Sequence, residues 1–405
     1  MANFMNHRHI GRIVEITATH VILRNEKGLV KVPLELSQGA PSIGDLVEVK
    51  NKTLKILTPN LTVTKSDQWA RKILDPRRRY AIKVRGEIES GIREFFISHG
   101  FLETRTPLLV PCPGMEPHIR PFQVTSTSTD ILHPTFLPTS PEFAMKRLLV
   151  GGLEKIFQMA PAFRDEPRSI THLPEFTLLE WYRAYAGYDE IMEDTENLFE
   201  SLAQRLFGKP SFTFQGQEIS VKTPWPRLKV RDLFLQITCI DLTQKSTVQD
   251  LALECKRLGL SVLKDETWDD LYFKIWLNFI EPALPQDQAV FVTRYPASQA
   301  ALAVIDTDPD GTHWARRFEL YAGGIELGNA FEELTDPVEQ RRRFTKDMEL
   351  REQIYGPSFP KSPLDEEFLN ALEEGMPPSG GIAVGVDRLV MLFANEADIS
   401  YTVWL

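Results

Sequence analysis

The sequence predicts an α+β fold: a large domain of mixed, largely antiparallel strands with helices outside, preceded by a small all-β barrel-like module. Two observations carry this. Residues 1–64 alternate apolar and polar side chains in short runs broken by turn residues. The rest of the chain mixes helical periods with extended runs, including one glycine-marked hairpin and a final strand that runs straight into a helix, without an internal repeat.

The composition sets the frame. The chain has 405 residues, 46 Lys and Arg against 56 Asp and Glu, and is 42% hydrophobic and 25% charged, as in ordinary soluble proteins. Cys112, Cys239 and Cys255 lack metal-ligand spacing, which argues against a disulfide framework or a zinc site. No apolar run approaches the roughly 18 residues of a membrane span. The N-terminus also lacks the apolar core of a signal peptide. The expectation is a cytoplasmic protein without membrane contact.

In the module, residues 1–64, Val30, Val32, Leu34 and Leu36 alternate with Lys31, Pro33 and Glu35. Leu46/Glu48 and Val47/Val49 form a second pair of rows, with turns at Asn25–Gly28 and Asn51–Thr53. It carries 8 Lys and Arg against 5 Asp and Glu, and Phe4 is its one Phe, Tyr or Trp.

The second domain, residues 65–405, opens with a helix over about 77–98. There Ala81, Val84, Ile88, Ile92, Phe95 and Phe96 recur at helical spacing before Gly100. An extended stretch follows from Phe101 and ends near Pro107. Ser140-Pro141-Glu142 reads as a serine N-cap, a proline in the first helical position and then an acid, with the helix ending at Gly151-Gly152. Extended runs at about 154–164 and 175–185 flank a loop with Pro167 and Pro174. Helical patterns return at about 188–206, 247–258, 267–280 and 337–353, and a strand–turn–strand covers about 316–334.

Three segments carry chemistry. In the first, strand parity places Arg164 with Glu166, and Phe176, Leu178, Glu180 and Tyr182 on one face. A solvated row of ion pairs has the same pattern, but an Arg beside an exposed Phe also suits a nucleotide. In the second, a turn at Gly323-Gly324 pairs Tyr321 with Glu326 and Glu319 with Gly328, so Glu319 and Glu326 share a face. Two adjacent acids repel unless a cation lies between them, and magnesium with phosphates is the natural guest. Asn329 needs a bulge near Gly328 to join that face. In the third, Gly381, Ala383 and Gly385 leave one strand face almost bare, while Ile382, Val384 and Val386 face a core. A flat ligand could lie on the bare face, with Arg388 beside it.

With these residues in hand, about 70–405 resembles the catalytic domain of class II aminoacyl-tRNA synthetases, lysine branch. The helix with Pro107 is similar to the family's first motif, a dimer element. Phe163-Arg164-Asp165-Glu166 is similar to the second motif and Gly385-Val386-Asp387-Arg388 to the third. Thr139-Ser140-Pro141-Glu142, Leu179-Glu180-Trp181-Tyr182, Tyr295-Pro296-Ala297-Ser298 and Gly375-Met376-Pro377 place it nearest the protein-modifying members, the elongation factor P–lysine ligases.

The resemblance implies ATP and magnesium. Arg164 would hold the α-phosphate and the amino-acid carboxylate. Glu166 and His172 would help place ATP, Phe176 and Arg388 would sandwich adenine above Gly385, and Glu319 and Glu326 would carry the metal. Ser140, Glu142 and Glu180 would surround the amino group, Tyr182 and Glu333 would read the side-chain ammonium, and Asn329 would lie near the carboxylate. Leu173 stands where the family usually has asparagine, and Ala330 where it has glycine after Asn329. Ala383 stands where tRNA-charging members have glycine; its methyl would trim the pocket in favour of β-lysine.

The expected activity is ATP-dependent activation of lysine or β-lysine and transfer to a lysine of elongation factor P, by a homodimer. The tRNA-charging members carry a larger N-terminal barrel, and reading single-stranded RNA needs stacking platforms that residues 1–64 lack. The alternatives are a lysine–tRNA ligase with a reduced barrel and a non-catalytic regulator that binds amino acid or ATP.

Overall fold

The computed structural model describes residues 8–17, 19–26, 28–33, 41–59, 75–125, 135–356, 359 and 362–404. Its contacts divide the chain into two units, residues 1–82 with 403–405, and residues 83–402. The expected boundary at 64/65, and Leu34, Glu35 and Leu36 of the alternating row, lie outside the described residues.

The first unit is a five-stranded antiparallel sheet of β1 (His9–Ile16), β2 (His20–Asn25), β3 (Gly28–Pro33), β4 (Leu46–Lys50) and β5 (Thr53–Thr58), in the order β3-β2-β1-β4-β5. Period-two alternation turns Ile13, Val21, Leu23, Val32, Val47 and Val49 into one buried cluster. Asn51 and Lys52 both take positive φ, the two-residue turn that suits a twisted hairpin. The small all-β module expected here is this antiparallel sheet, in which β3 and β5 come first and last in the order among the described residues.

Helix α1 (Pro76–Ser98) carries Ile88, Ile92 and Phe96 at four-residue spacing, all fully buried, and Gly100 follows at φ 79°. Strand β6 (Leu102–Glu103) and a ribbon of β7 (Gln123–Val124) and β8 (Thr135–Phe136) lead to α2 (Glu142–Val150). The N-cap of α2 is Pro141, one residue later than expected; the Ser140 hydroxyl still accepts the Glu142 N–H at 3.0 Å. After β9 (Lys155–Phe163) and β10 (Glu175–Ala184) comes α3 (Tyr188–Phe207), then a hairpin of β11 (Ser211–Phe214) and β12 (Gln217–Ser220). Next are β13 (Arg227–Lys229), α4 (Val230–Thr238), α5 (Val248–Arg257) and α6 (Trp268–Ile275), which continues as a wider π-helical turn over Trp276–Ile280. The chain ends with β14 (Val290–Pro296), β15 (Ile305–Thr307), β16 (His313–Ala322), β17 (Ile325–Glu332), α7 (Pro337–Tyr355), α8 (Glu366–Gly375), β18 (Ser379–Gly385) and α9 (Val386–Phe393).

Nine strands form one sheet in the order β13-β14-β16-β17-β18-β10-β9-β6, with β15 beside β16. Only the β13–β14 and β6–β9 pairs are parallel. One face is closed by aromatic packing: Phe96 of α1 stacks on Phe157 at 4.8 Å and meets Trp181 at 5.0 Å. The opposite face holds the site. No helix among the described residues is long and apolar enough to cross a membrane.

Candidate active site

Because β10, β18, β17 and β16 are neighbours, residues far apart in the chain become cross-strand partners. Glu180 pairs with Ala383, Ala383 with Asn329, and Asn329 with Glu319. The next row on the same face runs Tyr182, Gly381, Phe331, Arg317. A bulge makes this possible: Tyr321 pairs with Glu326, but Leu320 pairs with Gly328, so Leu327 is the extra residue. Glu319 therefore faces Asn329 and not Gly328 as the unbroken hairpin predicted, and Glu326 and Asn329 both reach the same cleft.

That cleft has a volume of about 1950 Å³. Of the residues singled out in the sequence, all line it except Glu180 and Glu319, which are buried in its floor. Arg164 and Glu166 do not reach it by strand parity. Strand β9 ends at Phe163, and both residues stand in the loop beyond, where the Arg164 N–H donates to Pro174 O at 2.9 Å.

One end of the cleft is cationic. The Arg164 guanidinium lies 5.1 Å from the Phe176 ring centre; it has no ion-pair partner among the described residues, and its Nε is buried without a hydrogen bond. Arg388, in the first turn of α9, is anchored instead. It donates to the Glu326 carbonyl at 2.7 Å, to Thr171 O at 3.3 Å and to His172 Nε2 at 2.7 Å. A guanidinium only donates, so His172 accepts through Nε2 and is neutral with its proton on Nδ1. Partial burial and the Arg388 charge both lower its pKa. The strand face is open at Gly385 but not at Gly381, where an added Cβ would lie 2.3 Å from the Tyr182 ring. The bare face predicted for this strand is thus filled at one end.

The other end is acidic. Ser140 donates to Glu180 Oε1 at 2.6 Å and Tyr182 to Oε2 at 2.9 Å. Burial, and then the Glu142 charge, push Glu180 up to about 8. Burial also pushes Glu333 up to about 8, against the pull of Lys146 and with the help of Glu142. Both Glu333 oxygens are buried without a hydrogen bond among the described residues; Oε2 is in ion contact with Lys146 Nζ at 2.5 Å, while Oε1 has no ion contact there either.

Between the ends, Glu319 accepts from Arg317 at 2.6 Å, Tyr295 at 2.6 Å and Tyr321 at 2.8 Å. Glu326 is pushed up to about 7 by the surrounding cleft walls and then by Glu319, although 43% of its side chain remains accessible. A divalent cation would relieve that repulsion, so the donor chemistry fits one. No group of three or more His, Cys, Asp or Glu is arranged for a metal among the described residues, so phosphate oxygens would have to complete its shell.

Two residues of the site escaped the sequence reading. Arg317 donates to Asn329 Oδ1 at 3.0 Å and to Gln299 O at 2.7 Å, over the Tyr295 ring at 4.5 Å. Its parity with Glu319 was the available signal. Lys146, four residues after Glu142 on α2, reaches the Glu142 carboxylate at 2.5 Å; helical spacing was the signal there.

The sheet is mostly antiparallel, and one cleft on it carries a cationic end and an acidic end. Comparison with known sequences gives the class of protein. Residues 63–404 match the model of tRNA synthetases class II (D, K and N), and the chain belongs to that family. It is 38% identical to a lysine–tRNA ligase of Carboxydothermus hydrogenoformans over 81% of this chain and 65% of that one. A Rhizobium leguminosarum lysine–tRNA ligase is 38% identical over 78% and 62% of the two chains, and one from Dehalococcoides mccartyi is 33% identical over 98% and 84%. The chain thus spans under two thirds of the length of the first of these relatives.

Proposed function

We propose that this protein activates a diamino acid, lysine or β-lysine, with ATP. A carboxylate oxygen of the amino acid attacks the α-phosphorus, the bond to the bridging oxygen breaks, and pyrophosphate leaves. The carrying observation is the buried, unpartnered Glu333 Oε1 at one end of a cleft whose other end presents Arg164 and Arg388. A buried carboxylate oxygen without a donor is costly unless a ligand ammonium completes it.

In this reading Arg164 holds the carboxylate and the α-phosphate together and opposes the charge that grows on phosphorus-bound oxygen. Arg388, braced by Thr171, His172 and the Glu326 carbonyl, takes the outer phosphates, with the ring of Phe176 available to the base. Glu166 stands in the loop beside them. Glu326, with Glu319 behind it, would hold magnesium, which would supply neutralisation of the phosphates. Ser140 and Tyr182 orient Glu180, and Arg317 orients Asn329 toward the carboxylate.

Proton linkage gives a direct test. In the folded protein Glu180 and Glu333 keep protons that the unfolded chain has lost, so their stabilising effect is complete below the ordinary carboxyl range. It disappears as pH rises through about 8. A bound ammonium displaces those protons, so lysine affinity is expected to increase with pH toward about 8. Calorimetry in buffers of different ionisation heat reads the released protons; a flat profile would contradict the assignment.

For the acceptor, the printed names of the relatives favour tRNA over elongation factor P, which the sequence put first. What supports elongation factor P is Ala383, whose position lies between Glu180 and Asn329 in the row that meets the substrate. Pyrophosphate exchange with lysine and β-lysine, without acceptor, separates an enzyme from a ligand-binding regulator. No exchange with either would sink the activation reading. Labelled transfer with tRNA and elongation factor P both present then decides the acceptor. A cytoplasmic homodimer is proposed from the family resemblance alone.

A further inference from the structure

Lys146 enters none of the steps above, yet it is among the most constrained cations near the cleft. It is 2% exposed and stands behind the cleft wall, in ion contact at 2.5 Å with both Glu142 Oε1 and Glu333 Oε2. One ammonium thereby ties the first turn of α2 to the residue after β17, whose N–H is itself bound to Ser379 O at 2.9 Å. Burying a cation costs several kcal/mol before its partners offset it. Placing it beside a site for a cationic ligand invites competition, unless the charge it leaves over is what the ligand needs.

Once bound ammonium has displaced the protons that Glu180 and Glu333 hold in the free protein, Glu142, Glu180 and Glu333 carry three negative charges against one positive on Lys146, which leaves two. A diamino acid brings two ammonium groups. Lys146 contacts one oxygen of Glu142 and one of Glu333, which leaves Glu142 Oε2 and Glu333 Oε1 outside that bridge. Glu116 also bears on Glu142 from the cleft wall, while farther out Asp347 is offset by Lys346, Arg351 and Arg343.

Resting on the activation reading above, we propose that Lys146 is a positioning residue that sets both the geometry and the net charge of the amine end. Ligands with two ammonium groups offset more of that charge than ligands with one.

Lys146→Met removes the charge while keeping an unbranched side chain of similar size. In pyrophosphate exchange its KM for lysine should rise about tenfold or more, with KM for ATP within about twofold of wild type. A lysine KM equal to wild type in a folded variant would overturn the role. A second arm uses wild-type protein and does not depend on the variant folding. Cadaverine should compete with lysine about tenfold more tightly than n-pentylamine. Equal inhibition by the diamine and the monoamine would also overturn the proposal. Absence of wild-type exchange with lysine and β-lysine would instead remove the activation reading on which it rests.

Discussion

Arg164→Ala will lower kcat for pyrophosphate exchange by about 10²–10³-fold, the cost of removing one preorganised donor from a site of developing charge. The reason lies in what Arg164 lacks. Arg317 and Arg388 make several hydrogen bonds each, but among the described residues the Arg164 guanidinium has no carboxylate in ion contact and a buried Nε without an acceptor. Its field is therefore directed at the ligand, and the Phe176 ring at 5.1 Å holds its plane. Arg164→Lys will recover only part of the loss, because an ammonium lacks the planar fork that spans two oxygens. The effect should fall on kcat more than on the KM for lysine, whose ammonium groups are read at the far end. Single-turnover adenylate formation measures the step directly. Activity of Arg164→Ala within tenfold of wild type would remove Arg164 from the chemistry.

The second large effect is discrimination between lysine and norleucine, which differ by the terminal amine. A pocket built to bond a polar group rejects the analogue that lacks it by about 10⁴-fold, because its own buried groups are left unpaired. Glu333 Oε1 is such a group; it and the Tyr182 ring both crowd Gly381, and Tyr182 in turn donates to Glu180. The ratio of kcat/KM for the two amino acids in pyrophosphate exchange should be of that order. In Glu333→Gln the ratio should fall sharply, since the amide no longer answers an ammonium charge. Equal discrimination in wild type and Glu333→Gln would place side-chain recognition elsewhere.

The elements of the site were readable wherever chemistry and local period coincide. Arg164, Phe176, Glu326, Gly381, Ala383 and Gly385 were picked out from local pattern and line one cleft, and Glu319 is buried beneath it. What was not readable depends on strand neighbours. Asn329 calls for a bulge near Gly328, but nothing local shows that Leu327 is the extra residue, because the ladder on both sides decides where a bulge falls. Arg164 was assigned to a strand because the loop beyond Phe163 preserves an alternating pattern for three more residues. Ser140 reads as a cap because a serine before proline and an acid is one; its other bond, to Glu180, crosses forty positions. Lys146 drew no reading from the sequence. Only the arrival of Glu333 from the far end of the sheet explains its burial.

The additional residue at Leu327 has a consequence for how this protein can change over generations. Deleting a single amino acid there would restore an even ladder and turn Asn329 and its successors inside out: polar groups would be driven into the aromatic floor and Ala330 lifted toward the nucleotide. The overall composition would barely shift, yet the chemistry would be exchanged for packing. Drift in this stretch must therefore proceed by substitution at constant length, and a variant library that permits gaps between Glu319 and Glu333 should recover activity only where paired insertions and deletions cancel.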